Sequence, residues 1–203
     1  MVKTKEINVY EFDELSDKIQ EKVIQRFVEQ EFEYMNLDFF EEFAKDYIEE
    51  KGFEDIEIQY SLSYSQGDGF SFEGTSSNNV KFLRENFGEK FVILATSYYV
   101  DDLVISVNRS SHQSVHSNSV YFDISINYIS DDGSDYTAYD KEISKLSELV
   151  SELEDKGAYF LEDICKKLEK DGYSEIEQMT SEETIKENIE VNEYEFDIEG
   201  NLI

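Results

Sequence analysis

Apolar positions in this chain recur at helical spacing towards both ends and at every second residue in the middle. Ile7 to Phe12 reads as a short strand. Ser16 then stands as an N-cap, with Asp17 at the positive end of a helix. Ile19, Val23, Ile24, Phe27 and Val28 give that helix one buried face. A second helix follows Asn36, with Phe39, Phe40, Phe43, Tyr47 and Ile48 on its apolar side and Gly52 as its stop. The period changes to two at Ile56, Ile58, Tyr60, Leu62 and Tyr64, which alternate with Glu57, Gln59, Ser61 and Ser63. That is the pattern of a strand with one buried face. Ser65-Gln66-Gly67-Asp68-Gly69 interrupts it, and Phe70 and Phe72 resume the alternation.

A short helix from Asn79 to Asn86, stopped by Gly88, comes next. Phe91 to Val100 fits helix and strand equally well. Leu103 to Val107 and Val120 to Tyr128 alternate as two strands, joined by a Ser/His-rich tip from Arg109 to Ser119. Asp131 to Asp135 reads as a polar loop. From Asp140 to Lys170 the spacing is helical again, through Ile143, Leu146, Leu149, Val150, Leu153, Phe160, Leu161, Ile164 and Leu168, with Gly157 as a point of breakage or bending. Thr180-Ser181-Glu182-Glu183 opens a further helix that buries Ile185 and Ile189, and Tyr194, Phe196 and Ile198 form a last strand with a turn at Gly200-Asn201. With no proline, no Gly/Ser linker and no internal repeat, the chain predicts a single α+β domain over residues 1–203. Its sheet is mixed or antiparallel, of about four to six strands, flanked by N-terminal and C-terminal helices.

Composition supports a packed core, since 15 Phe and 14 Tyr are far more aromatic surface than a disordered chain carries. Charge narrows the function. Eighteen Lys and Arg against 48 Asp and Glu leave a net of −30, which repels phosphates and anionic lipid alike. No basic cluster breaks the pattern, so direct nucleic-acid binding and membrane binding are both disfavoured. The first residues, Met1-Val2-Lys3-Thr4-Lys5-Glu6, lack the apolar region of a signal peptide, and no run reaches membrane-spanning length, so a cytoplasmic protein is expected. Cys165 is the one cysteine, which excludes an intramolecular disulfide; its neighbours Leu161, Ile164 and Leu168 place it on a buried helix face.

The acidic excess lies mostly at the helical ends. Residues 1–55 hold 17 acids and 7 bases, residues 56–139 hold 11 and 4, and residues 140–203 hold 20 and 7. The pairs Glu41-Glu42, Glu49-Glu50 and Glu182-Glu183 fall on predicted helices, where residues three or four apart stand about 5–6 Å from each other. Duplex DNA presents one charge per roughly 1.7 Å of axis, so a rigid acidic helix face can imitate a phosphate track and occupy the basic channel of a nucleic-acid enzyme. These six carboxylates are the candidates for contact with a partner. The alternative is a solvated face that aids solubility.

Ser65 to Gly69 admits two readings. Asp68 could act as a general base or metal ligand, with the glycines letting a ligand approach the backbone. Otherwise the segment is a β-turn in which both glycines supply positive φ and Asp68 bonds the turn backbone. A calcium loop needs several acids at alternate positions, and Asp68 is the single one here. His112 and His116 are the only histidines; four apart on a Ser-rich tip, without a companion cysteine or HExxH pattern, they make a poor zinc pair. Ser111 and Ser117 beside them lack a nucleophile elbow. Other carboxylate pairs, such as Asp101-Asp102 and Asp131-Asp132, follow from composition. No catalytic residue, metal site or cofactor is assigned.

Four segments nevertheless resemble a family of small phage-encoded proteins often labelled antitoxin-like. They are Tyr10-Glu11-Phe12-Asp13-Glu14-Leu15-Ser16-Asp17 with Glu21-Lys22; Ser65 to Gly69 continuing to Phe72-Glu73-Gly74; Arg109 through His116-Ser117 into Asp123-Ile124; and Asn192-Glu193-Tyr194-Glu195-Phe196 with Gly200. The hairpin departs from the family's pattern, with Ser114-Val115 where an aromatic pair usually stands. The resemblance implies a phage or prophage origin and a full-length single module. With the charge, it leads to the expectation of a phage accessory protein that binds and inhibits a host protein with a basic surface. A nucleic-acid-handling defence enzyme of the CRISPR or restriction type is the natural target, an antitoxin-like neutraliser of a basic toxin the alternative, and a metal-dependent enzyme the third.

Overall fold

The computed structural model describes residues 8–110, 115–129 and 136–203. Among them six helices and four strands follow in the order α1 (Asp17–Tyr34), α2 (Asp38–Glu50), β1 (Phe53–Ser61), β2 (Gly69–Ser76), α3 (Asn79–Phe87), α4 (Ile93–Thr96), β3 (Val100–Arg109), β4 (Val120–Tyr128), α5 (Tyr136–Met179) and α6 (Glu182–Val191). The fold is α+β, and the sheet is wholly antiparallel. The contacts resolve two compact units, one of Asp38–Gly172 and one of Met1–Leu37 with Tyr173–Ile203. No described helix is long and apolar enough to cross a membrane.

The larger unit holds the sheet, in the order β1-β2-β3-β4. Alternation puts Ile58 opposite Phe72, Tyr60 opposite Phe70, Ile105 opposite Ile124 and Val107 opposite Phe122, so one face is apolar along all four strands. Helical phenylalanines pack onto that face. Phe53, Phe72, Phe82, Phe87, Phe122 and Phe160 form a connected set of rings with neighbouring centroids 5.0–6.3 Å apart, and Phe40, Tyr60 and Phe70 form a second set. Most of these contacts are edge-to-face or tilted, the arrangements that the ring quadrupole favours.

The segment that fits helix and strand equally well, Phe91 to Val100, is divided between them. A 3-10 turn over Glu89–Phe91 leads into α4, and β3 begins at Val100. Phe91 and Leu94 are fully buried there. The loop expected over Asp131 to Asp135 lies outside the described residues.

Two expectations change in this unit. The apolar side of α2 is narrower than the sequence implies: Phe40, Ala44 and Ile48 are buried, whereas Phe39 and Phe43 are exposed. A helix lying against a sheet by one ridge buries positions i, i+4 and i+8, and Phe39 and Phe43 fall on the next ridge round. Gly157 does not break α5 but sits within it, where a Cβ would stand less than 3.0 Å from three atoms of the Phe122 ring. The glycine lets the helix backbone approach β4, which offsets its poor helix propensity. Around it, Leu146, Leu153, Leu161, Ile164, Cys165 and Leu168 are buried at helical spacing.

In the smaller unit, Phe12, Leu15, Val23, Ile185, Ile189 and Phe196 form the core, with Ile19, Ile24, Phe27, Val28 and Tyr194 packed against it. The two strands expected here are single bridges. Tyr10 and Phe196 exchange two backbone hydrogen bonds of 2.9 Å, and Phe196 also bridges Leu202. Phe12–Glu14 is a 3-10 turn, and Ile198 is exposed. Asp197 shapes the closing turn. Its carboxylate accepts the Asn201 side-chain amide and the backbone N–H groups of Asn201 and Glu199, which holds its pKa below the usual value. Arg26 donates to the Gly200 carbonyl at 2.7 Å and Lys22 to that of Glu199 at 3.2 Å, tying the turn to α1. Ser16 is the N-cap of α1, but its hydroxyl makes no capping bond; the Gln20 amide instead donates to the carbonyls of Phe12 and Leu15. Ser181 does cap α6, accepting the Thr184 N–H.

The Gly157 contact yields a direct test. Gly157→Ala replaces the poorer helix former by the best one, yet is expected to destabilise the protein by about 1–3 kcal/mol because the methyl group collides with a buried ring. Urea unfolding of both proteins measures this; an alanine variant as stable as the parent refutes the packing role.

Candidate functional site

Ser65 to Gly69 closes the β1–β2 hairpin. The Asp68 N–H donates to the Ser65 carbonyl at 3.3 Å. Asp68 is buried, and its Oδ1 accepts the hydroxyls of Ser61 (2.8 Å), Ser63 (3.0 Å) and Ser65 (3.0 Å) while Oδ2 accepts the Ser65 N–H (2.9 Å). A buried carboxylate needs such donors to offset its lost hydration. Gly67 has a positive φ of 107°, and so does Tyr64 at 56°, but Gly69 does not. Gly69 serves close approach instead of the positive φ expected of it: a Cβ there would stand 2.9 Å from His116 Cα and 3.1 Å from the Val115 carbonyl oxygen.

The chain after β3 therefore lies on the start of β2, bringing His116 to the same end of the sheet as Asp68. His116 Nδ1 accepts the Asn118 N–H at 3.1 Å, capping the 3-10 turn Ser117–Ser119, with the Ser117 hydroxyl 3.4 Å away. A ring nitrogen that accepts a backbone N–H is neither a metal ligand nor a base in that state. His112, Ser111 and Ser114 lie outside the described residues. Among the described residues, no three His, Cys, Asp or Glu side chains are grouped to hold a metal ion.

Beside this hairpin stands a charge pair that motif reading passed over. Arg109 ends β3 with its side chain only 3% exposed. The Glu73 carboxylate accepts the Arg109 N–H at 3.1 Å and its Nη2 at 3.2 Å, with Glu57 at 3.9 Å. The β2–β3 ladder is confined to Gly74–Val107 and Thr75–Ser106, so the Glu73 side chain takes the place of the next backbone acceptor. Arg109 Nε and Nη1 and Gln59 Oε1 are buried without a hydrogen-bond partner among the described residues.

The acidic candidates separate into two groups. Glu41, Glu42 and Glu49 share a shallow hollow of about 360 Å³ on α2 with Asp38, Asp46 and Lys45. Glu41 accepts the Tyr60 hydroxyl at 3.0 Å; burial, and then this bond and charge, push the Tyr60 phenol up to about 12. Glu50 is exposed near the end of the same helix. Glu182 and Glu183 are exposed in the first turn of α6, in the other unit, where Glu182 pairs with Lys186 at 2.6 Å. The α6 pair complements the positive end of its helix. In α2, Asp38 and Glu41 likewise stand in the first turn, but Glu49 and Glu50 crowd the negative end, with no base in the last turn. Asp38, Glu42, Asp46 and Glu50 also repeat at i,i+4, a ladder of like charges that opposes the helix.

No family model, curated protein or solved structure matches this chain.

Two measurements follow from these environments. Glu73→Ala removes the partner of a buried guanidinium and is expected to cost about 3 kcal/mol in denaturant unfolding; a loss under about 0.5 kcal/mol, the usual size for a surface substitution, would refute the pairing. Burial pushes the Cys165 thiol up to about 12, with the Glu169 charge adding to the effect. Since the thiolate is the nucleophile, an aromatic disulfide reagent at pH 8 should leave Cys165 unmodified in the native protein and modify it rapidly in denaturant.

Proposed function

We propose that the protein acts by binding and inhibiting a host protein with a basic surface, as a phage accessory factor in the cytoplasm of the infected cell. The observation that carries this reading is the acidic ladder of α2. An exposed helix that accumulates carboxylates at i,i+4 and at its own negative end forgoes stability that neutral or basic residues would supply. A cationic partner relieves that repulsion, and a net charge of −30 steers such a partner in from a distance.

The geometry favours an enzyme that handles nucleic acid. Steps of four residues along α2 advance about 6 Å, close to two phosphates of one DNA strand at roughly 3.4 Å each. A basic channel built for a phosphate track accepts such a helix. The resemblance to antitoxin-like proteins supports a second reading, neutralisation of a basic toxin, which shares the same surface chemistry. Rescue of growth by co-expression with a linked toxin distinguishes it.

The test is capture of a partner from host lysate at two salt concentrations, followed by assay of the captured enzyme. Affinity is expected to fall at least about tenfold between 50 and 500 mM salt. The charge-neutralised variant Glu42→Gln/Asp46→Gln/Glu50→Gln should lose most of the binding and inhibition while unfolding at the same or a slightly higher temperature, because it removes the like-charge pairs of the ladder. Salt-independent affinity, or full inhibition by the variant, contradicts the reading.

A further inference from the structure

Beyond its buried and acidic faces, α2 has a third. Phe39 and Phe43, one turn apart on the ridge beside the buried stripe, are 83% and 48% exposed, and Tyr47 continues that ridge half-buried. A single exposed aromatic is ordinary, but two on one ridge form an apolar surface that the fold does not use. Glu42, Asp46 and Glu50 flank the ridge on its outer side, since they follow Phe39 and Phe43 at i+3 and i+7. Its inner end already holds cations. Lys167 of α5 places Nζ 4.5 Å from the Tyr47 ring centroid and 5.5 Å from that of Phe43, and Lys51 stands 4.9 Å from Tyr47. Phe39, at the outer end, faces solvent.

We propose that this face of α2 is the docking site for a basic amphipathic helix of a partner protein. The partner's large apolar side chains lie on Phe39 and Phe43, and its Arg and Lys heads reach Glu42, Asp46 and Glu50. The inference rests on the binding of a basic protein proposed above and specifies which element of that protein is held. Charge complementarity selects the occupant. A second copy of this chain brings another −30 and is repelled, as is an anionic membrane. A purely basic segment would leave Phe39 in water, and a purely apolar one would leave the carboxylates unrelieved. A helix with anchors at i, i+3, i+4 and i+7 answers both requirements, because Phe39 and Phe43 repeat with the period of one turn.

The chain contains no tryptophan, so a tryptophan in a peptide reports its own surroundings. The probes are two Lys/Leu peptides of about five turns, each with one tryptophan. One has its apolar residues on a single helical face; the other has the same composition and charge scrambled so that no face forms. The amphipathic peptide is expected to bind at least about tenfold more tightly, an extra 1.4 kcal/mol, with blue-shifted emission. Phe39→Ser/Phe43→Ser should abolish that advantage while binding the scrambled peptide as the parent does. Phe39→Ser alone, at a position too exposed to affect folding, should lose part of it.

Equal affinity of the parent for both peptides, or an unchanged advantage in both variants, overturns the docking proposal. If the scrambled peptide still binds in a salt-dependent manner, the broader electrostatic reading survives that result. If neither peptide binds at low salt, both fail. Sedimentation of the parent as a dimer that Phe39→Ser converts to a monomer assigns the face to a second copy and likewise overturns the proposal.

Discussion

Thirty uncompensated negative charges oppose compaction of this chain at every stage of folding, and the apolar contacts in each unit have to outweigh them. Phenylalanine is the main means of doing so. Full burial of one such side chain contributes about 1.5–3 kcal/mol, and Phe70, Phe72, Phe82, Phe91 and Phe196 are all essentially inaccessible. In the unit from Asp38 to Gly172 these rings lie between one face of the sheet and the helices covering it. That layering moves the carboxylates outward, onto the outer faces of the helices and the rim of the sheet. The position of the acidic surface is thus a consequence of where the aromatic core forms.

The few charges drawn inward are matched locally. Asp68 is met by three serine hydroxyls and one backbone amide, and Arg109 by the Glu73 carboxylate. Both lie where the backbone ladder gives out, the first at the hairpin turn and the second where β2 and β3 cease to pair. Side-chain acceptors there supply bonds that neighbouring strands no longer provide. The segment seated on Gly69 uses the same region, with His116 bonding its own turn. Asp68 and His116, two of the residues most suggestive of chemistry in the sequence, thus take part in the joinery of a sheet corner.

The elements legible in the sequence were those whose burial repeats with their own period. The alternation through Ile58, Tyr60, Phe70 and Phe72 marked β1 and β2, and the spacing of Leu146, Leu153, Leu161 and Leu168 marked α5. The terminal strands were not legible, because Tyr10 and Phe196 satisfy each other with two backbone bonds and need no longer ladder. Gly157 was misread because its reason is tertiary: nothing adjacent in the chain announces that Phe122 will press against it. The serines around Asp68 did leave a signal, in that Ser61, Ser63 and Ser65 alternate on one side of the strand and into the turn. That alternation reads as a solvent-facing pattern until the turn places a carboxylate among them. Arg109 and Glu73 fall in two different segments far apart in the chain, and nothing in either announces that the two side chains meet.

Helix α2 departs from local rules twice over, with like charges at i,i+4 and with phenylalanines turned to water. The two departures lie side by side on one exposed surface. Either alone has a plain structural explanation, since acidic composition produces like-charge neighbours and a wide apolar stripe leaves some aromatic edge uncovered. Together they are harder to attribute to folding, because each makes the free helix less favourable and the described part of its unit relieves them only in part. Lys167 and Lys51 show what relief looks like, a cation held over an aromatic ring, but they reach only Phe43 and Tyr47. What remains uncovered, Phe39 among carboxylates, asks for an apolar body carrying positive charge. In a sequence otherwise consistent from pattern to packing, such a local conflict is where function is best sought.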